Sequence, residues 1–495
     1  MHFFKSFLTG FITILFVSAC HADPDLISLF PLDHYDQTIS TWIKPTDSNY
    51  DQPLLDASLQ KKRLDDFYAH YFGSSSPWNA EYINQILHVG APNNIKSIEQ
   101  TILANFNNQD KPADQLGYGE NFHPYGENWI KSISDNINLA ALDNLTYQPS
   151  NRGIAIDNSH ARVLPTDDVH FYSYKLAGQG YPFDNLQMSS LWAGTPVYIL
   201  TATQDHAWFL VATPDYIGWV KSSSIARATT QFIETWASAA KKQLAAMTHT
   251  QTSMLDDKGI FRFSAYVGSV FPAEKTQTGI TASIPISNSE GYAERRYTTL
   301  LPNQAVLMPA AATPHNFATI MSTLINRPYG WGNMYFYNDC SAELKSLFTP
   351  FGIWIPRHSS NQVNAGRMVD MTSFPPEQRL SYLMENGHKF FTIIYIGGHV
   401  VMYLGNYPNP NESDHKLMAM TYQNLWGLSP SPAIRRAVIG ESVLFPMLLR
   451  YPEDTSLMSL ASKKYFQVAY LDEMPNSKLM QLEAIDLKAL MYPEN

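Results

Sequence analysis

Cys340 is one of two cysteines in a chain of 495 residues, and its position predicts a reactive thiol. Asp339 is a suitable N-cap for a helix over "CSAELKSLF" (340–348), which puts Cys340 in the first turn. Unpaired backbone N–H groups and the helix dipole favour a thiolate there. The pattern therefore predicts a nucleophilic cysteine of low pKa. The alternative is a small buried apolar residue, which is the common fate of an isolated cysteine.

A pattern typical of antiparallel strands surrounds His399. Gly397-Gly398 predicts a tight turn, and apolar runs lie on both sides of it. The three predicted strands cover 390–396, 399–405 and 417–423. His399 therefore begins the second strand, at one end of the sheet.

The pairing of these strands predicts a partner for the imidazole. We place Gly405 opposite Leu417, and His399 then lies opposite Gln423. The Gln423 carboxamide oxygen could accept the Nδ1–H and aim the other ring nitrogen at Cys340. Cysteine, histidine and a polar orienting residue in this order are the papain arrangement. The alternative for Gln423 is an ordinary amide at the edge of a sheet.

The elements around these residues change character along the chain, and they predict an α+β multidomain protein. Helical periodicity comes first, short β-rich runs that suggest two small SH3-like barrels follow, and mixed helix and strand patterns surround Cys340. One larger β-sandwich is the alternative to two barrels. The predicted segments are a signal peptide (1–20), a tether (21–60), a helical domain (61–154), barrels at 155–230 and 231–310, a papain-like catalytic domain (311–450) and a C-terminal extension (451–495).

The N-terminus predicts an export signal that ends at the other cysteine. A positive charge and an apolar run too short to cross a bilayer precede Val17-Ser18-Ala19-Cys20. This boundary resembles the lipobox of bacterial lipoproteins, which implies acylation of Cys20 and anchoring in a lipid bilayer. His21 follows where inner-membrane lipoproteins carry Asp, so the resemblance implies the periplasmic face of the outer membrane. An ordinary signal peptide with an incidental Cys20 is the alternative.

Several segments together resemble a known enzyme family. The blocks are "PYGWGN" (328–333), "NDCSAELKSLFTPFGIWIPR" (338–357) and "GGHVVMYLG" (397–405), with 181–200 and 66–78 before them. They resemble the NlpC-type cell-wall cysteine peptidases, in the branch that carries SH3-like domains. The resemblance covers most of residues 60–450. It implies a peptidoglycan hydrolase that cuts the γ-D-glutamyl-diamino acid bond of stem peptides.

The resemblance also implies roles for individual residues. Cys340 matches the nucleophile, His399 the general base and Gln423 the third polar position, where many relatives have histidine. The positions that match the substrate pocket are Tyr329, Asp339, Ser341, Arg357, His358 and Ser359.

The chain departs from the family at the residues that recognise a free peptide amine. His358 stands where such relatives carry Asp, and an imidazole is a poorer partner for an ammonium. Amine recognition would therefore rest on Asp339 and Tyr329. Gly332-Asn333 replaces a Gly-Gly pair, and Ser341-Ala342 replaces Ser-Gly.

Composition excludes several other functions. A net charge of −10 without a basic block argues against nucleic-acid binding. Two cysteines cannot form a Cys-rich zinc site or a disulfide framework. Motifs for zinc hydrolysis, phosphate binding, dinucleotides and serine hydrolases are absent from the sequence, so we expect no metal and no cofactor. Two rival functions remain, namely a non-catalytic wall-binding lipoprotein and a thiol acyltransferase or amidase acting on another amide.

Overall fold

The computed structural model describes residues 26–277, 279–409, 416–475 and 485–492. The predicted signal peptide and Cys20 lie outside these residues, so acylation and the envelope location stay predictions. Within the described ranges, every helix is too short or too polar to cross a membrane.

The described chain begins with one strand and five helices. They are β1 (Ile27–Leu29), α1 (Ile39–Trp42), α2 (Ala57–Phe72), α3 (Ala80–Leu87), α4 (Ile95–Phe106) and α5 (Glu127–Asn136). The prediction of a tether is wrong from residue 26 onward, because Phe30, Tyr35, Trp42 and Leu55 are buried. The apolar residues in this segment have no clear helical or strand periodicity, so the sequence pattern does not indicate that they are buried in the core.

Residues 152–227 form a seven-stranded sheet that we name the first β-unit. Its strands are β2 (Arg152–Ala155), β3 (Ser159–Arg162), β4 (Gln187–Leu191), β5 (Pro196–Ala202), β6 (Trp208–Ala212), β7 (Ile217–Lys221) and β8 (Ile225–Arg227). Hydrogen-bonded neighbours follow the order β4-β3-β7-β6-β5-β2-β8.

Helix α6 (Thr230–Lys242) leads into a second β-unit, residues 244–307. Its strands are β9 (Leu244–Met247), β10 (Thr252–Leu255), β11 (Phe261–Ala265), β12 (Val270–Lys275), β13 (Ile280–Ser287), β14 (Ala293–Leu300) and β15 (Ala305–Leu307). Five of them pair in the order β14-β13-β12-β9-β15, and β10 and β11 form a separate hairpin. The prediction of an α+β chain of several domains with small β-rich units is confirmed. In both units the strand order among the described residues is open.

The C-terminal unit begins at residue 311 and carries Cys340. Its elements are α7 (Pro314–Leu324), α8 (Cys340–Phe348), α9 (Ser359–Gln362), β16 (Arg367–Asp370), α10 (Pro376–Asn386), β17 (Thr392–Tyr395), β18 (Val400–Pro408), β19 (Leu417–Leu428), β20 (Arg436–Met447) and β21 (Gln467–Tyr470). Helix α11 (Leu487–Met491) follows in sequence but packs on α4 and on β7 of the first β-unit. The sheet order is β1-β20-β19-β18-β17-β21-β16. Because β21 lies between β17 and β16, this unit continues past the predicted boundary at 450.

The predicted register of β18 and β19 is wrong. Gly405 pairs with Met420 rather than with Leu417, and a bulge interrupts the ladder between Tyr403 and Gly405. Strand β18 extends to Pro408, past its predicted end at Gly405, so Leu417 pairs with Pro408. The bulge shifts the pairs beyond it by one residue.

Candidate active site

Cys340 lies at the start of α8, as the sequence predicts. The side chain of Asp339 caps the helix by accepting a hydrogen bond from the Ala342 N–H at 2.9 Å. Leu344, Leu347 and Phe348 bury the inner face of α8 and fix its position under the sheet. The Cys340 side chain is therefore held in place, with 5% of the residue exposed.

His399 contacts Gln423, although the register that predicted this contact is wrong. The atoms His399 Nε2 and Gln423 Oε1 are 2.7 Å apart. Since Met402 pairs with Tyr422, Gln423 lies diagonally across the ladder from His399 on the same face of the sheet. Long side chains on diagonal positions can reach each other.

A chain of hydrogen bonds determines which ring nitrogen is protonated. The Thr421 hydroxyl donates to the Phe445 carbonyl at 2.6 Å, so it accepts the bond from the Gln423 amide N–H at 2.8 Å. The Gln423 oxygen must then accept from His399, which puts the proton on Nε2. Nδ1 is left as the basic nitrogen of the neutral ring. The sequence predicts the opposite arrangement, with Nδ1–H bound to the amide oxygen, and this prediction is wrong.

The environment of Cys340 contradicts the prediction of a low pKa. Burial and the neighbouring Asp339 carboxylate raise the pKa of the thiol to about 12. The backbone N–H groups of Val400 and Ser341 act in the other direction by hydrogen bonding to the sulfur. Burial also lowers the pKa of His399 to about 4. The free site therefore holds a neutral thiol and a neutral imidazole at neutral pH.

Asp339 is paired with a buried arginine. Arg357 donates to both carboxylate oxygens of Asp339, at 3.1 and 2.7 Å, and to the Ser341 hydroxyl at 2.8 Å. Its Nε donates to Ser189 Oγ of the first β-unit at 2.8 Å. Burial raises the pKa of Asp339, but the Arg357 charge and the hydrogen bonds outweigh this effect and hold it below its usual value. Asp339 is thus charged and already neutralised by a partner.

A cleft of about 240 Å³ opens beside the thiol. All six pocket residues that the sequence predicts line it with Cys340, namely Tyr329, Asp339, Ser341, Arg357, His358 and Ser359. His399 and Gln423 are not among the lining residues. Four lining residues come from the first β-unit and the loop within it, namely Val163, Asn185, Gln187 and Met188.

Comparison with known proteins shows which domains and which fold the chain resembles. Residues 9–141 match the N-terminal NLPC_P60 stabilising domain, and residues 170–221 match the SH3 domain of SH3b1 type. The fold is similar to that of an NlpC/P60 endopeptidase from Photobacterium damselae subsp. piscicida, with a TM-score of 0.76 and 27% identity over 90% of this chain and 99% of the other. The chain is therefore similar to NlpC/P60 endopeptidases in overall fold and in its N-terminal and SH3 domains.

A second solved structure is more distant. An NlpC/P60 family protein from Bacillus cereus ATCC 10987 aligns at 15% identity and a TM-score of 0.40, over 62% of this chain and 98% of the other. No curated protein matches the sequence.

The contribution of the first β-unit to this cleft was missed by sequence reasoning. Gln187 donates from Nε2 to the Gly332 carbonyl at 2.8 Å, and the Ser190 hydroxyl donates to the Asn333 carbonyl at 3.1 Å. A signal was present, because β4 carries polar residues in a strand that is buried throughout. Buried polar side chains need partners, so they predict a docking surface.

The same contact explains one departure from the family. Gly332 has φ 56° and Asn333 has φ 61°. A Cβ atom at Gly332 would lie 2.6 Å from the Gln187 carbonyl oxygen, so this position requires glycine. Asparagine tolerates the left-handed region well. Asn333 can therefore replace the second glycine of the family pattern without disturbing the loop.

His358 is a neutral side chain in the cleft. Burial, aided by the Arg357 charge, lowers its pKa to about 4. Its Nε2 is buried and has no hydrogen-bond partner in the described part of the chain. A neutral imidazole cannot replace the carboxylate that holds an ammonium in relatives.

One group of side chains within the described ranges has the composition of a metal site. His388, Asp472 and Glu473 bring ligand atoms within 4.8 Å of one another. However, Asp472 already accepts from His388 at 2.8 Å, and Arg367 donates to both oxygens of Glu473. These contacts satisfy the carboxylates, and the group is not among the residues that line the cleft.

Proposed function

We propose that the protein is a cysteine endopeptidase that hydrolyses the γ-D-glutamyl-diamino acid bond of peptidoglycan stem peptides. Cys340 is the nucleophile, His399 the general base and Gln423 the residue that orients the imidazole. The observation that carries the proposal is the 2.7 Å contact between His399 and Gln423, next to Val400, whose N–H meets the Cys340 sulfur. The similarity to an NlpC/P60 endopeptidase supports it.

Because the thiol and the imidazole are neutral in the free enzyme, proton transfer accompanies attack. His399 Nδ1 takes the thiol proton as the sulfur bonds to the substrate carbonyl carbon. The carbonyl oxygen becomes an oxyanion. The Cys340 N–H has no acceptor within its own helix, since it lies in the first turn, and it can donate to this oxyanion.

Collapse of the tetrahedral intermediate breaks the amide bond. The imidazolium returns its proton to the leaving nitrogen, and a thioester remains on Cys340. His399 then removes a proton from water, the hydroxyl oxygen attacks the thioester, and the sulfur leaves and regains its proton. Gln423 keeps the Nε2–H bound throughout, so Nδ1 carries every transfer.

The proposal is tested with purified protein and a defined muropeptide whose products are identified by mass. We expect two fragments that correspond to cleavage after the γ-D-glutamyl residue, and no cleavage by Cys340→Ala. Binding without any turnover by the wild type would contradict the proposal and support a wall-binding protein. Transfer to an added amine in place of water would support an acyltransferase.

We also propose that acylated Cys20 anchors the enzyme at the periplasmic face of the outer membrane. The Val-Ser-Ala-Cys boundary supports this. Cys20→Ala should move the protein out of the membrane fraction. Unchanged partition without incorporation of labelled fatty acid would contradict the anchor.

A further inference from the structure

A row of four aromatic rings borders the cleft, and we name it the aromatic wall. Its members are Tyr329, Trp331, Trp426 and Phe183, all of them half-buried. Tyr329 and Trp331 line the cleft itself. Phe183 packs edge-on against Trp331 at 5.1 Å and against Trp426 at 5.5 Å, and the Tyr329 and Trp426 centroids are 5.9 Å apart. The wall is continuous from the thiol cleft to the surface.

Backbone contacts hold the wall rigid. Trp331 donates from Nε1 to the Asp184 carbonyl at 3.1 Å. The Asp184 carboxylate is itself fully buried and paired with Arg162. Because the rings come from both the C-terminal unit and the first β-unit, their arrangement exists only when these two units are docked. A rigid, partly exposed aromatic surface is suited to binding and loses little side-chain entropy when it does so.

The charges in the cleft indicate what kind of peptide N-terminus it accepts. Asp339 is the one carboxylate among the described lining residues, and Arg357 neutralises it. His358 is uncharged at neutral pH. A free ammonium group would therefore lose its water without gaining a charged partner, which is unfavourable. The cleft fits a peptide whose N-terminus is acylated.

We propose that the aromatic wall binds the amino sugar to which a stem peptide is amide-linked, so that the enzyme selects sugar-bearing muropeptides over free peptides. This inference rests on the proposed function and specifies its substrate. In such a substrate the N-terminal nitrogen is a neutral amide, and the acyl group that forms this amide carries an uncharged sugar ring. The sugar ring presents C–H groups, which pack on the negative faces of aromatic rings. The wall adjoins the thiol cleft, where the attached peptide would lie.

The test measures binding separately from catalysis, on the Cys340→Ala protein by calorimetry. The ligands are one stem peptide in three forms: sugar-linked, N-acetylated and with a free amine. We expect the sugar-linked form to bind about tenfold or more tightly than the acetylated form. Trp426→Ala should remove this advantage and leave the affinity for the acetylated peptide unchanged.

Two further variants keep the test decisive. Phe183→Leu retains an apolar side chain at the interface and should give the same result if Trp426→Ala fails to fold. Tyr297→Ala removes an exposed ring from the second β-unit and should change nothing. Equal affinity for the sugar-linked and acetylated forms would overturn the inference and leave the proposed function intact. Failure of all three forms to bind would overturn both.

Discussion

The two β-units are similar in size, yet they meet the C-terminal unit in different ways. The first β-unit contacts it through polar side chains and lines the cleft, and the ion pair between Asp215 and Lys345 of α8 spans 2.8 Å. The second β-unit contributes none of the described lining residues. It meets the C-terminal unit at Val267, which joins the apolar core of α7 and α8, and at Gly268, where an added Cβ would lie 2.9 Å from the Ser346 Cα. A hydrogen bond from the Thr323 hydroxyl of α7 to the Thr248 carbonyl, at 3.2 Å, joins residues that do not line the cleft.

This difference indicates different roles. An apolar contact such as that of Val267 stabilises the packing of two units but does not fix the orientation of particular groups. Buried hydrogen bonds, by contrast, fix the positions of the groups that they join. Arg357 connects Ser189 of the first β-unit with Asp339 and Ser341 beside the thiol. We infer that the first β-unit forms one side of the active-site cleft. The second β-unit stabilises the C-terminal unit without forming part of the cleft.

Removal of Arg357 should have the largest effect. Arg357→Ala leaves the Asp339 carboxylate buried without its partner, which costs about 3–5 kcal/mol of stability. The cleft should also lose its shape, so kcat/KM should fall at temperatures where the variant is still folded. Arg357→Lys should be intermediate, because a lysine cannot make the bidentate contact. Chemical denaturation and muropeptide turnover measure the two effects.

The matched variant in the second β-unit is Arg262→Ala. Arg262 also pairs with a buried carboxylate, because its Nε and Nη2 donate to Oδ2 of Asp256 at 2.8 and 2.6 Å. We expect a lower melting temperature and an unchanged kcat/KM. A similar fall in kcat/KM for both variants would contradict the distinction between the two units.

The pH dependence of Cys340 alkylation tests whether the thiol beside the first β-unit is protonated. With a pKa of about 12, the rate of iodoacetamide reaction should rise roughly tenfold per pH unit between pH 7 and pH 10, because only the thiolate reacts. The labelled Cys340 peptide is followed by mass spectrometry. A rate that levels off near pH 9 would indicate an ordinary thiol, and one already fast at pH 6 would indicate a thiolate-imidazolium pair.

A smaller effect concerns the attachment of the first β-unit to the N-terminal helices. Glu99 of α4 is buried and accepts a hydrogen bond from Trp219 Nε1 at 3.2 Å, and burial raises its pKa to about 8. The folded protein therefore binds a proton that the unfolded chain releases above about pH 4.5. Stability from this group should fall as pH rises from about 4.5 to about 8, by at most about 1.4 kcal/mol per pH unit.

Glu99→Gln should remove this fall, as seen by comparing unfolding curves of both proteins at pH 5 and pH 8. Glu294→Gln, an exposed position in the second β-unit, is the control and should behave as the wild type. The same pH dependence in all three proteins would mean that Glu99 is not protonated in the folded state.

Local features of the fold were predictable from the sequence. Asp339 and the apolar positions after it determine where α8 begins, and these depend on residues a few positions apart. The same holds for the strands on both sides of Gly397-Gly398. The contact of His399 with Gln423 was predicted through an incorrect register, because β18 continues past Gly405 to Pro408 and the polar residues there give no strand pattern.

Features that depend on tertiary packing were not predictable. The pKa of Cys340 follows from burial, which is decided by elements that pack from elsewhere in the chain. Arg357 pairs with Asp339 eighteen positions earlier in the sequence, and neither residue alone indicates the other. Gln187 reaches the cleft only when the first β-unit docks on the C-terminal unit. In the sequence, only the buried polar residues of β4 indicate this docking.

The most direct measurement compares kcat/KM of Gln187→Ala and Gln243→Ala on one sugar-linked stem peptide. Both side chains donate to backbone carbonyls, Gln187 to Gly332 at the cleft and Gln243 to Met308. Gln243 and Met308 flank the second β-unit. We predict a fall of about 10- to 100-fold for Gln187→Ala, because displacement of the loop misplaces the substrate, and a change within about twofold for Gln243→Ala. Equal effects of the two substitutions, or no cleavage by the wild type, would contradict the account.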